Sequence, residues 1–216
     1  MAYSYPILLD LTGKLVVIVG GGKVAVRKAR GVLDGGATTV RCIAPQIDKE
    51  MPEQVELAHK TFEPSDLDGA AMAFAATDQA GVNAAVVRAA EDRGILTCRA
   101  DANEFDGGDF TVPAVLRHGS IVISFSAGSP ALSATLRDEF RTKITTIDKY
   151  KEMAKLLRTL RPRLRDFRAL TAARRKQAMI DLASPAALTV LAEGNNEGLW
   201  QWLVERYPEL KLEKAP

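Results

Sequence analysis

The sequence predicts an α/β fold: a parallel, doubly wound sheet over its first half, then a short hairpin-plus-helix region, then helices alone. Three observations carry this expectation. Short apolar runs alternate with helical patterns between residues 14 and 100, the rhythm of strands joined by crossover helices. The first run ends directly in Gly20-Gly21-Gly22. From about residue 147 onward the apolar positions keep only helical spacing.

Each element follows from its local pattern. Residues 14–19 (KLVVIV) are a continuous apolar run, expected as a central strand buried on both faces. Residues 23–34 have helical spacing, with Val24, Ala25, Ala29 and Leu33 on one side, and Gly35-Gly36 ends the helix. A second strand is expected over 38–44, stopping at Pro45, and alternation over 54–60 marks a third, less buried one. A fourth strand over 72–77, a helix over 81–94 and a fifth strand over 95–100 complete the sheet, which ends at Asp101. Residues 110–116 and 120–126 flank Arg117-His118-Gly119, the turn of an expected hairpin. Ser129-Pro130 opens a helix with a hydroxyl cap and proline at the first helical position. Leu132, Leu136 and Phe140 keep i, i+4 spacing along it. In the last third, Met153, Leu156, Leu157 and Leu160 mark one amphipathic face and Leu199, Trp202 and Leu203 another. The expected divisions are 1–113, 114–146 and 147–216.

Composition narrows the class. A formal net charge of +2 on 216 residues argues against a nucleic-acid binder or a membrane-surface protein. Cys42 and Cys98 lie far apart, each inside an apolar run, and are expected as buried small hydrophobes rather than as a disulfide or zinc site. His59 and His118 have no partner at ligand spacing, so no metal site is expected. The chain start lacks the basic opening and apolar core of a signal peptide. No apolar run approaches the roughly 20 residues that span a bilayer. A reduced, cytoplasmic protein is expected.

The strongest local signal is Gly20-Gly21-Gly22-Lys23-Val24-Ala25. It fits G-x-G-x-x-A with a strand before it and a helix after it, the setting of a Rossmann-like dinucleotide site. Gly20 permits the turn, Gly22 lets backbone approach a pyrophosphate, and Ala25 lets helix and strand pack closely. The helix's free amides and positive dipole end then hold the phosphates. One feature departs from the pattern. An NAD site usually has a carboxylate at the end of the second strand, where this chain has Ile43-Ala44-Pro45. Arg41 lies inside the strand and reads as a structural or surface residue, so the choice between NAD and NADP stays open on chemistry alone.

Residues 5–11 (YPILLDL), 20–37 (GGGKVAVRKARGVLDGGA), 73–83 (AFAATDQAGVN) and 101–140 stand in an order and spacing that resembles the precorrin-2 dehydrogenase and sirohydrochlorin ferrochelatase family. This is the N-terminal module of sirohaem synthase together with its stand-alone relatives. The resemblance implies NAD-dependent oxidation of precorrin-2 to sirohydrochlorin, and in some members insertion of ferrous iron. It implies a homodimer whose interface comes from the central region. It places Gly20, Gly22, Lys23 and Val24 at the pyrophosphate turn, the last two through their backbone. Ala44 and Pro45 fall where the second strand meets the adenosine half of NAD, and Thr77 and Asp78 in the turn beside the cofactor. Asp101 matches the aspartate proposed to act in both dehydrogenation and chelation.

Asp101 also has a rationale of its own. It lies just past the carboxyl end of a strand, the side of an open α/β sheet where ligands bind. Oxidising the macrocycle sends a hydride to NAD and leaves a proton, and a carboxylate whose pKa is raised by partial burial suits the role of base. An aspartate after a strand is also an ordinary turn former or helix cap. Asn103 and Ser126 are weaker substrate-binding candidates, Asp106 and Asp109 are expected as loop residues, and Ser129 as a helix cap. Some relatives carry paired serines near Ser126, one of them phosphorylated; that position falls at Ala127 here and the modification is not carried over. Residues 161–176 hold seven basic side chains against one acidic, read first as a solvated helix face and second as a clamp for the acetate and propionate groups of a tetrapyrrole. A bifunctional dehydrogenase and ferrochelatase, a non-catalytic NAD-sensing module, and a dehydrogenase of an unrelated small metabolite remain as alternatives.

Overall fold

The computed structural model describes residues 5–101, 108–143 and 148–212. The chain divides into two compact units, Met1–Val112 and Pro113–Pro216.

The first unit is built on five parallel strands: β1 (Leu15–Val19), β2 (Thr39–Ile43), β3 (Glu56–Ala58), β4 (Ala70–Ala75) and β5 (Leu96–Arg99). Their order is β3-β2-β1-β4-β5, the arrangement of a doubly wound sheet, with the order reversing between β1 and β4. Helix α1 (Lys23–Asp34) follows β1 and helix α2 (Ala80–Glu91) follows β4. Successive strand residues point to opposite faces, which gives two cores. Val16, Ile18, Val40, Cys42, Phe74 and Cys98 pack with Ala25, Val26 and Ala29 of α1. Val17, Val19, Ile43, Ala73 and Ala75 pack with Val86, Ala89 and Ala90 of α2. Apolar residues on both faces of β1 are why it reads as a continuous run rather than an alternating one. β3 is a largely exposed edge, and Arg41 of β2 pairs across to its Glu56 at 3.1 Å.

One face is corrected. The buried row of α1 is Ala25, Val26, Ala29 and Val32. Val24 is exposed and Leu33 only partly buried; at 100° per residue Val24 points well away from the stripe that Ala25, Val26, Ala29 and Val32 form.

The second unit opens with an antiparallel hairpin, β6 (Ala114–His118) and β7 (Ile121–Phe125). Here too the expectation is corrected. His118 pairs with Ile121 and Arg117 with Val122, so the turn is Gly119-Ser120. Gly119 has φ 59°, the positive value a two-residue hairpin loop demands of its first residue and glycine supplies without strain. Helix α3 (Pro130–Thr142) follows, and Ser129 caps it by accepting the Leu132 N–H at 3.2 Å. Then come α4 (Asp148–Asp166), α5 (Ala172–Leu182) and α6 (Pro185–Arg206). Met153, Leu156 and Leu160 of α4 meet Leu182 of α5 and Leu199 and Leu203 of α6 in a core of their own. The basic run is not one helix face. Residues 167–171 break it between α4 and α5, and Arg175 donates to the Leu170 and Phe167 carbonyls at 2.7 and 3.2 Å, tying that connection down. Among the described residues no helix is long and apolar enough to cross a membrane.

Leu203 is fully buried in the helical core. Leu203→Ala is expected to cost about 2–5 kcal/mol, a transfer term plus a cavity term; urea unfolding followed by circular dichroism measures it.

Candidate functional site

The three central strands end level with one another: Val19 of β1 stands opposite both Ile43 of β2 and Ala75 of β4. The segments that follow them therefore share one edge of the sheet, at the point where the strand order reverses. Gly20 turns out of β1 with φ 122°. A side chain there would collide with the backbone carbonyl of Ala76, and one at Gly21 with the carbonyl of Gln46. The turn is locked from three sides. Gly20 N–H donates to Ile43 at 2.9 Å, Asp48 N–H donates to Gly21 at 2.8 Å, and the Cys42 thiol donates to Gly20 at 3.3 Å. Burial pushes the Cys42 thiol up to about 11, which keeps it a protonated donor.

Gly22 differs from its two neighbours. Its φ of −84° is ordinary, and a Cβ on it would meet nothing within 4 Å. It is the N-cap of α1, with no side-chain cap and no acidic residue in the first turn. The first helical bond runs from Val26 N–H to Gly22, so the amides of Lys23, Val24 and Ala25 have no acceptor within the helix. Open space beside an uncapped helix start, carrying the positive end of the dipole, fits the pyrophosphate of a dinucleotide. Lys23 and Val24 are both exposed there. Gly21 was not a sequence candidate, because the fingerprint treats its position as free; the close approach of Gln46 is a tertiary fact.

At the end of β2, Ala44 is buried, its N–H donating to Ala58 at 3.1 Å, and Pro45 is exposed. Asp48, the next carboxylate along, accepts from Glu50 N–H at 2.9 Å in its own turn. After β4, Thr77 is held by Asn83 of α2. The Asn83 Oδ1 accepts Thr77 N–H at 3.1 Å and lies 2.7 Å from the Thr77 hydroxyl, while its Nδ2 donates to the Thr77 carbonyl at 3.0 Å. Asp78 is exposed at the tip of this turn.

Asp101 follows β5 on the same edge, with β4 between β5 and β1. Its electrostatics overturn the expected raised pKa. Arg99 grips the carboxylate with two bonds, Nε to Oδ1 at 2.8 Å and NH2 to Oδ2 at 3.2 Å. That guanidinium beside it holds Asp101 below the usual carboxylate value of 3.8. Burial opposes the shift but is the lesser effect, since the carboxylate keeps 29% of its surface exposed. Arg99 and Asn83 are the two residues that sequence reasoning missed. The signal for Arg99 was a basic residue at the end of the expected strand, two positions before Asp101. The signal for Asn83 was a polar residue inside an apolar helical pattern.

Of the remaining candidates, Asp109 accepts from the Thr97 N–H and hydroxyl at 2.8 and 3.1 Å, a structural brace within the first unit. Ser126 is exposed after β7 in the second unit. Asn103 and Asp106 lie outside the described residues. His59 is exposed and His118 half-buried within β6. Both cysteines are buried and free.

Residues 7–114 match the family model described as putative NAD(P)-binding. The chain is 35% identical over 217 residues to the siroheme synthase of Methylococcus capsulatus, an alignment covering 98% of this chain and 45% of that protein. It is 36% identical over 168 residues to the siroheme synthase of Pseudomonas paraeruginosa, covering 74% of this chain and 35% of that one. It thus spans less than half the length of these relatives. The fold is similar to that of SirC, a precorrin-2 dehydrogenase, with a TM-score of 0.69 at 23% identity, covering 94% of this chain and all of the other.

Gly22→Asp separates folding from ligand binding. The added side chain enters open space and caps α1, so thermal stability is expected to hold or rise. Its charge would occupy the place of the pyrophosphate, so NAD affinity measured by titration calorimetry is expected to fall at least tenfold, roughly the effect of losing one charge-assisted contact.

Proposed function

The chain belongs to the putative NAD(P)-binding family, and from that membership and its likeness to siroheme synthases we propose that it oxidises precorrin-2 to sirohydrochlorin with NAD. One observation carries the proposal: the uncapped start of α1 and the Asp101 carboxylate stand on the same edge of one sheet, at its switch point. The NAD choice is supported by the absence of a basic side chain at 44–46, where Ala44, Pro45 and Gln46 stand, since a 2′-phosphate calls for one. Backbone groups of that segment take the place of the usual carboxylate toward the ribose.

NAD bound at this edge supplies the hydride acceptor. Two hydrogens leave the macrocycle, one as hydride and one as a proton, and the proton goes to Asp101. Arg99 keeps that carboxylate ionised and aimed, so it is ready to accept at neutral pH. The same grip lowers its basicity, so the proton passes on to water through the exposed side of the carboxylate. Insertion of ferrous iron is a second reading, favoured by the same ionised and accessible group, which could take up the pyrrole N–H protons as the metal enters.

We also propose that residues 114–146 form the interface of a homodimer, ahead of a helical domain over 147–216. Leu132, Leu136 and Phe140 are exposed along one side of α3, an apolar row at i, i+4 and i+8 that supports this reading. Leu136→Lys is expected to shift the protein from dimer to monomer in analytical ultracentrifugation while leaving the helical content unchanged.

The activity test is NAD reduction with freshly prepared precorrin-2 and no added metal. Asp101→Ala is expected to lower kcat about 10²–10⁴-fold, the range of a lost general base, with NAD binding retained. Binding of NAD without turnover by the wild type would favour a sensing module instead.

The pH dependence follows from the sign of the shift. A lowered pKa keeps Asp101 ionised until the pH falls below the ordinary carboxylate value, so the wild-type profile has no acid limb from this group between pH 5 and 7. Arg99→Met removes the largest cause of the shift, and the acid limb of kcat is expected to move to higher pH.

A further inference from the structure

We propose that Asn83 is a positioning residue of the dinucleotide site: its buried carboxamide stands in for a sheet neighbour of Thr77 and holds the turn after β4 against the glycine turn after β1. The inference deepens the reading of this sheet edge as the NAD site and rests on it.

The need for such a residue follows from where the strands part. Beside β4, pairing runs out to Ala76 N–H donating to Val19 at 2.8 Å on one side and Ala100 N–H donating to Ala75 at 2.9 Å on the other. One step later β1 has turned away, since Gly20 N–H donates to Ile43 of β2. Thr77 lies past both rungs, partly buried, with a backbone N–H and C=O still to satisfy. Asn83 meets both. Its Oδ1 accepts the N–H at 3.1 Å and its Nδ2 donates to the carbonyl at 3.0 Å. A carboxamide has the donor and acceptor of a peptide group, so it pairs with one residue's backbone as a neighbouring strand would. A third contact joins Oδ1 to the Thr77 hydroxyl at 2.7 Å.

The mount is rigid. Asn83 is fully buried, and its own N–H closes the first turn of α2 onto the Gln79 carbonyl at 3.0 Å. Gln79 N–H in turn donates to the Thr77 hydroxyl at 3.1 Å. Thr77, Gln79 and Asn83 thus form a closed ring of hydrogen bonds on a helix whose Val86, Ala89 and Ala90 sit in the sheet core. The glycine turn lies at the other end of the same peptide. A Cβ on Gly20 would collide with the Ala76 carbonyl and stand 2.9 Å from the Thr77 nitrogen. The Ala76 carbonyl and the Thr77 N–H belong to one planar unit, packed by Gly20 and held by Asn83. The carboxamide therefore sets the spacing of the two turns.

The first measurement leaves the sequence unaltered. In ¹⁵N-labelled full-length protein without NAD, the Thr77 amide is expected to be protected from hydrogen exchange. Exchange at the rate of an unprotected loop amide would overturn the proposal.

The second uses Asn83→Leu, which removes all three contacts without adding a charge that would itself repel an anionic cofactor. NAD affinity by titration calorimetry is expected to fall about tenfold, roughly the worth of a lost hydrogen bond. Exchange protection is expected to fall at Thr77 while β1 and β4 keep theirs. In turnover, the KM for NAD is expected to rise with the loss of affinity while kcat at saturating NAD stays within about threefold, the split of a lost binding contact. Asn83→Ser leaves room for water to satisfy Thr77, so it keeps the fold if leucine does not, and the same loss of affinity is expected. Unchanged NAD affinity in the folded variant would overturn the proposal, as would protection lost across the whole sheet. Wild type that binds NAD yet leaves precorrin-2 untouched would sink the proposed oxidation while the affinity comparison still decides the role of Asn83. Wild type that binds no NAD would sink both.

Discussion

The first unit depends on how closely backbones approach at the carboxyl end of β1. Gly20 lies against the Ala76 carbonyl and Gly21 against that of Gln46, distances that any side chain would forbid. That approach lets the chain leave β1, turn within three residues and start α1 at the sheet edge instead of beyond it. Ala25 and Ala29 continue the same economy of size along the helix, both fully buried against the sheet. The consequence is chemical as well as architectural. A helix that starts so close to the strand ends has its unpaired amides at the sheet's switch point, where the turns after β2, β4 and β5 also arrive.

Electrostatics at that edge are set by pairing rather than burial. Asp101 lies in a loop with part of its carboxylate in water, so desolvation is weak there. The Arg99 fork is close and bidentate, and it wins. A depressed pKa means that the native state gains stability from this group above the unfolded carboxylate's value and loses it as pH falls through the folded one. The two thiols show the opposite balance. Cys42 and Cys98 sit inside the sheet core, where desolvation is the leading effect and raises both. Cys42 turns this to structural use as a donor to the glycine turn.

The helical unit stands on different physics. Its core is leucine packed on leucine from α4, α5 and α6, closed by Tyr207 and Leu210 beyond the last helix. Tyr207 donates to Asp181 at 2.9 Å, and Arg174 stacks 5.0 Å above its ring while pairing with Glu209 at 3.0 Å. Burial and the neighbouring Asp181 push the tyrosine hydroxyl up to about 12, so it remains a donor across the whole working range. Two of the basic side chains between residues 161 and 176 thus brace the unit: Arg174 through this cluster and Arg175 through the α4–α5 connection.

Local pattern by itself determined much of this protein. Continuous apolar strands, the glycine turn, the limits of α1 and the Ser129 cap are short-range features, and each is written in adjacent residues. The resemblance carried by residues 5–11, 20–37, 73–83 and 101–140 was legible for the same reason. Other features are decided only when distant segments meet. Val24 was assigned to the buried face of α1 and Val26 was not, because spacing fixes a stripe but not which stripe meets a sheet. The hairpin turn moved by two residues because cross-strand pairing, not turn composition, sets where a strand ends. Spacing gave Asp101 a place but not a charge state, since that depends on Arg99 folding back onto it. Asn83 reads as an ordinary polar residue in a helix until α2 docks beside β4 and β5. Backbone preferences travel within a few residues of sequence; hydrogen bonds, ion pairs and desolvation are properties of neighbours in space, and only the tertiary structure supplies those.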